Sequence, residues 1–172
     1  MTPKKTTVLL LERRELFRDM IADGLAVWAK PSEIIKVASA AEALEVLRGE
    51  SSPTAAIIDV YLSESGLTTD IGLQFAQQKD TLPIFMTADA SVAESIKAAK
   101  LPCFRKPFPM DELAYFTEQL FDKPPYYLDA AIRKFKQLDR PRIIEALAPN
   151  AFPSPFRRLT GPFKPPGEQP KS

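Results

Sequence analysis

The sequence predicts an α/β fold in which a mostly parallel, five-stranded sheet is covered by helices on both faces. Three observations carry that prediction. The stretch Ala55-Ala56-Ile57-Ile58-Asp59-Val60-Tyr61-Leu62 is a continuous apolar run broken by one carboxylate, the pattern of a strand buried on both sides, because a sheet covered on one face alternates apolar and polar residues. Runs of this kind alternate along the chain with segments whose apolar residues recur at helical spacing. Polar residues also fall at the carboxyl ends of the strands, where open α/β sheets place their ligand sites.

The elements follow in order. Thr6 to Leu11 is a first strand, closed by Glu12-Arg13-Arg14-Glu15. Leu16, Met20, Ile21, Leu25 and Trp28 mark a first helix, and Pro31 follows as a stop. Glu33 to Ala38 reads as a second strand. Ser39 caps a helix from Ala40 to Arg48, with Glu42 completing a capping box and Gly49 ending it. Residues 54–59 form the third strand. Leu67, Ile71 and Phe75 fit one helix from about Gly66 to Gln78, or one that starts at Asp70 after a longer loop. Pro83-Ile84-Phe85-Met86 is a fourth strand. Val92, Ile96 and Ala99 mark a helix ending near Lys100, and Cys103 to Lys106 is a short fifth strand that Pro107 stops. Leu113, Phe116 and Leu120 mark a fifth helix. Parallel strands joined through helices imply right-handed crossovers.

Composition divides the chain in two. Of 172 residues, 45% are hydrophobic, enough for a real core. Residues 1–123 carry 14 Lys/Arg against 18 Asp/Glu, a net of −4, whereas residues 124–172 carry 9 against 4, a net of +5. Ten of the 17 prolines also lie in those last 49 residues, so a domain boundary falls near Lys123-Pro124-Pro125. No apolar run has the length of a membrane span, and Val8-Leu9-Leu10-Leu11 is too short and too soon followed by charge for a signal peptide. A cytoplasmic location is expected, and the single cysteine, Cys103, fits a reducing compartment. There is no histidine, so His-based acid/base, triad and metal chemistry are excluded.

Glu12, Asp59 and Thr87 stand at the carboxyl ends of strands one, three and four, and Lys106 closes strand five. In a doubly wound sheet those ends share one rim. A nucleophilic carboxylate, a cation and a hydroxyl together suit capture of a phosphoryl group. Each residue alone has a plainer structural reading, but the four in order at strand ends favour the functional one.

On Val8-Leu9-Leu10-Leu11-Glu12, Ile57-Ile58-Asp59, Ile84-Phe85-Met86-Thr87-Ala88 and Arg105-Lys106-Pro107-Phe108, residues 6–122 resemble a response-regulator receiver domain of bacterial two-component signalling. The resemblance implies a flavodoxin-like doubly wound sheet of strand order 2-1-3-4-5. It makes residues 1–123 the receiver, Asp59 the phosphoacceptor, Thr87 the hydroxyl that follows the phosphoryl group, and Lys106 the cation paired with Asp59. It also implies that Glu12, Asp59 and the backbone carbonyl of Tyr61 hold Mg²⁺. The chain would then be no enzyme beyond self-catalysed phosphorylation and dephosphorylation.

Several residues depart from the family pattern. Two adjacent acids usually follow the first strand, but here they are Glu12 and Arg13, so Mg²⁺ is expected to bind weakly or not at all, with Arg14 adding positive charge. Either Arg13 or Lys106 ion-pairs with Asp59 in place of the metal's charge, or Arg13 points to solvent and nothing replaces it. Ser63 stands where proline is common, so the loop from Tyr61 to Thr69 is expected to differ in shape. Cys103 replaces an aromatic switch residue and reads as a small apolar filler, Phe104 as core, and Asp89 as a helix cap.

The extension, residues 124–172, is basic and proline-rich. Leu128, Ala131, Ile132, Phe135 and Leu138 predict an amphipathic helix over 126–138, bordered by Arg133, Lys134 and Lys136, and a second short helix could run from Pro141 to Leu147. The rest is expected to be extended or disordered. Prolines 141 and 149 leave too little helix for a helix-turn-helix, so DNA is not an expected partner. The expected partners are a sensor histidine kinase or phosphotransfer protein and a downstream protein, with a homodimer through the tail helix as one arrangement. The reading is a response regulator signalling by protein contact. Its alternative is a phosphorylation-independent pseudo-receiver, a scaffold whose metal site Arg13 disables.

Overall fold

A computed structural model describes residues 6–63 and 66–122. The tail helices expected over 126–138 and 141–147, and the boundary after Lys123, lie outside the described residues. The elements are β1 (Thr7–Leu11), α1 (Glu15–Trp28), β2 (Glu33–Val37), α2 (Ala40–Arg48), β3 (Ala55–Asp59), β4 (Leu62–Ser63), β5 (Gly66–Leu67), α3 (Thr68–Lys79), β6 (Leu82–Thr87), α4 (Ala90–Ala98), β7 (Cys103–Arg105) and α5 (Met110–Asp122). The main sheet is parallel in the order β2-β1-β3-β6-β7, which is the predicted 2-1-3-4-5 once the small β4–β5 hairpin is set apart. The fold is flavodoxin-like and doubly wound.

β1, β3 and β6 are buried throughout because they supply both cores, whereas the edge strands β2 and β7 are partly exposed. Leu9, Leu11, Ala56, Ile58 and Phe85 face one cluster with residues of α2, α3 and α4. Val8, Leu10, Ala55, Ile57, Ile84 and Met86 face the other, with Ile21 and Leu25 of α1 and Leu113 and Ala114 of α5. Alternation by two thus feeds two apolar layers, and each fully buried Leu or Ile contributes about 1.5–3 kcal/mol. α3 lies so close to the sheet that a Cβ at Gly72 would sit 2.7 Å from Cε1 of Phe85, so glycine sets the approach.

Local sequence signals fix the helix ends. Ser39 caps α2 by accepting the Glu42 N–H at 3.2 Å, and the Glu42 carboxylate reaches back to Ser39 Oγ and the Ala38 N–H. The segment after β3, where spacing left two helix starts open, begins its helix at Thr68, two residues after the first of the predicted starts. The hairpin before it was not predicted. Ser63 Oγ donates to the Gly66 carbonyl at 2.7 Å, and Gly66 takes a φ of +102° that a side chain would resist.

Candidate functional site

The carboxyl ends of β1, β3, β6 and β7 meet on one rim. Parallel pairing puts Leu11 beside Ile58, Asp59 beside Met86 and Thr87 beside Arg105, so the residues that close these strands are neighbours despite their separation in sequence. Glu12 is 1% exposed and Asp59 7%, and buried carboxylates at such positions need partners.

Lys106 is that partner for both. Its Nζ donates to Glu12 Oε2 at 2.5 Å and to Asp59 Oδ1 at 2.7 Å, and it lies 4.7 Å from the centroid of the Phe17 ring. The second Glu12 oxygen, Oε1, accepts the Arg14 N–H at 2.9 Å. The Glu12 carbonyl accepts from Nη1 of Arg18 at 2.9 Å, which anchors the loop to the second turn of α1. Burial pushes the Asp59 carboxyl above its ordinary range, and the Lys106 ammonium opposes that shift without cancelling it.

Of the two cations the sequence offered Asp59, Lys106 makes the ion pair and Arg13 does not. Arg13 is exposed, with its guanidinium 4.0 Å from the centroid of the Tyr61 ring. The Tyr61 phenol is pushed up by burial, with Arg13 opposing. Arg13 and Tyr61 therefore join the loops after β1 and β3. The planar guanidinium explains the preference, since it stacks on an aromatic face more readily than it shares a carboxylate already held by an ammonium.

Thr87 is buried at the end of β6, where its carbonyl accepts the Lys106 N–H at 2.7 Å and its hydroxyl accepts the Asp89 N–H at 3.2 Å. The hydroxyl is thus turned toward the start of α4. Asp89 is the cap it was read as: Oδ1 accepts the Ser91 and Val92 N–H groups and the Ser91 hydroxyl, and these bonds hold its carboxyl below the usual range. Cys103 packs against the core beside β6, with burial raising its thiol to about 11, a filler rather than a reactive group. Phe104 packs edge-on against Phe108 and Phe116, as a core residue does.

Sequence reasoning missed three contributors. Thr68 Oγ1 donates to the Asp59 carbonyl at 2.7 Å and accepts the Tyr61 N–H at 2.9 Å, and the Thr68 N–H donates to the Tyr61 carbonyl at 3.1 Å. The run Thr68-Thr69-Asp70 is a recognisable helix start, but nothing local points it at β3. Phe17 and Arg18 carry no signal beyond their place on α1.

The donor set does not fit Mg²⁺, which demands several oxygens at near-octahedral positions. Of the three expected ligands, Glu12 has both oxygens engaged, Asp59 shares Lys106 with it, and the Tyr61 carbonyl is turned onto Thr68. Among the described residues no group of three or more His, Cys, Asp or Glu side chains is placed to hold a metal ion. The Lys106 ammonium lies between the two carboxylates.

No family model matches the chain, and no curated protein matches it in sequence. Solved structures do. A response regulator receiver protein from Sinorhizobium medicae superposes with a TM-score of 0.60 at 15% identity, over 69% of this chain and 96% of that one. A CheY-like receiver domain protein from Methanospirillum hungatei matches at 0.57 and 18% identity, over 75% and 98%. A receiver protein from Burkholderia phymatum matches at 0.57 and 23%, over 70% and 98%. The described residues thus have the receiver-domain fold.

Proposed function

We propose that this chain is a receiver-fold signalling module that acts through protein contact, with its rim held in one state by Lys106 instead of by a divalent cation, so that phosphoryl transfer to Asp59 does not govern it. The observation that carries this reading is the double ion pair of Lys106 with Glu12 and Asp59, at 2.5 and 2.7 Å, beside an arginine in the position of the second metal-binding acid. A cation supplied by the chain pairs with both buried carboxylates and offsets the cost of burying their charge. The receiver fold of the neighbours and the absence of any helix among the described residues long and apolar enough to cross a membrane are compatible with such a role.

A second reading is favoured by the convergence of Asp59, Thr87 and Lys106 on one rim. In it, Asp59 accepts a phosphoryl group from a histidine of a sensor kinase or phosphotransfer protein. The phosphorus–nitrogen bond breaks as the Asp59 oxygen bonds to phosphorus, and the Lys106 ammonium and a reoriented Thr87 hydroxyl hold the phosphoryl oxygens.

Incubation with a small phosphodonor, with and without Mg²⁺, separates the two by intact mass. The first reading expects no adduct on the wild type, with or without Mg²⁺. A Mg²⁺-dependent adduct on the wild type that vanishes in Asp59→Asn would replace it with the second.

A further inference from the structure

The α1–α5 face carries the exposed apolar surface of the described residues. Leu16, Met20, Val27 and Trp28 of α1 and Tyr115 of α5 are all between 47% and 86% exposed, although both helices bury their opposite sides in one core cluster. Where α1 ends beside α5, Trp28, Tyr115, Asp111, Glu112 and Glu118 line a groove of about 370 Å³. Two aromatic rings ringed by three carboxylates define the occupant's chemistry: an apolar stripe flanked by cations.

The chain carries such a segment. Residues 126–138 place Leu128, Ile132 and Phe135 at helical spacing, with Arg133, Lys134 and Lys136 beside them, inside an extension whose net charge of +5 faces the −4 of residues 1–123. Connectivity favours the same assignment. α5 is described to Asp122, and only Lys123-Pro124-Pro125 separate it from Tyr126, a pair of prolines that disfavours continuing a helix. So short a connection makes consecutive helices antiparallel neighbours. A 13-residue segment at 1.5 Å per residue spans roughly 20 Å, the length of α5 itself, and counting back from Asp122 brings residues 133–136 roughly beside Tyr115 to Glu112.

We propose that residues 126–138 fold back along α5 and seat the Leu128–Ile132–Phe135 stripe in the Trp28–Tyr115 groove, with Lys136 flanking the stripe beside the groove's carboxylates Asp111, Glu112 and Glu118 and with Arg133 and Lys134 adding longer-range attraction to them. A three-residue tether gives the segment an effective concentration in the mM range, which a second copy at µM cannot match. The docked segment makes the α1–α5 face an internal contact that any partner of that face must displace. This inference does not depend on whether Asp59 is phosphorylated.

Trp28 is the sole tryptophan and lies in the groove, so its emission reports occupancy in the full chain. In the wild type the emission should be blue-shifted and protected from acrylamide, independently of protein concentration. Protection should weaken between about 0.1 and about 1 M salt, as the Debye length falls from about 10 to about 3 Å. Reversing the tail charges (Arg133→Glu, Lys134→Glu, Lys136→Glu) should red-shift the emission and expose Trp28 to quencher with far-UV circular dichroism of the sheet and helices retained. Reversing the groove (Asp111→Lys, Glu112→Lys, Glu118→Lys) should do the same, and combining the two sets should restore protection. Emission unmoved by either reversal would overturn the proposal. So would protection that appears only as concentration rises with a dimeric mass, which would assign the groove to a second copy.

Discussion

The rim and the α1–α5 face lie on one small domain and have opposite character. At the rim, Glu12 and Asp59 are almost completely buried, and the polar atoms are satisfied from within the chain by Lys106, Arg14, Arg18 and Thr68. On the α1–α5 face, Trp28 and Tyr115 remain 60% and 63% exposed beside carboxylates. A closed polar cluster has little left to offer a ligand, whereas an exposed apolar and acidic surface offers much to a partner. Under the proposed function, recognition falls to the helices rather than to the strand ends.

If that contrast is right, the largest effect comes from breaking the rim. Lys106→Met leaves two buried carboxylates without their cation and should cost about 3–5 kcal/mol in urea unfolding. The loss should deepen as pH rises, because Asp59 ionises without the Lys106 ammonium beside it.

Asp59→Asn should have a smaller effect of opposite sign at neutral pH. Burial raises the folded-state pKa of Asp59, so the folded protein binds the proton more tightly than the unfolded chain does. The stability linked to that proton is fully present below the unfolded carboxylate range and is lost as pH rises through the raised folded value. The asparagine variant should therefore melt above the wild type at pH 7 and converge with it in acid. A variant that melts lower at pH 7 would show that the Lys106 pairing outweighs burial.

Asp89→Ala removes three hydrogen bonds at the start of α4 and should cost about 1 kcal/mol while leaving the rim's pH dependence unchanged, which separates a cap from a site residue. The smallest effect belongs to the helical face. Leu16, at 86% exposure, can be replaced by Gln with a change in unfolding free energy of under about 0.5 kcal/mol. A larger loss would mean that this face is covered in the folded protein by more than the groove segment.

Much of the fold was legible because its signals are local. The continuous apolar run of residues 55–58 marked a central strand, Ser39 and Glu42 marked a helix start, and Asp89 announced a cap. The β4–β5 hairpin was not legible, since two-residue strands carry no periodicity and rest on one serine and the positive φ of Gly66. Among site residues, Thr68 escaped because its role is to hold the Asp59 and Tyr61 backbone, a contact that no spacing encodes.

By itself the sequence determined which residues would end the strands, and therefore that Glu12, Asp59, Thr87 and Lys106 would stand on one rim; strand and helix patterns are written in steps of two to four residues and can be read without knowing what packs on them. Only the tertiary structure decided between Lys106 and Arg13, and that Lys106 would serve Glu12 as well as Asp59. Lys106 lies 94 residues from Glu12 and 47 from Asp59, while Arg13 is adjacent to Glu12, and sequence proximity would have favoured the arginine. The ring of Tyr61 drew Arg13 aside and β7 delivered Lys106 between the two acids, because partner choice at a buried site depends on distance and direction in three dimensions, where an ammonium at 2.5 and 2.7 Å leaves no oxygen-lined space for a second cation.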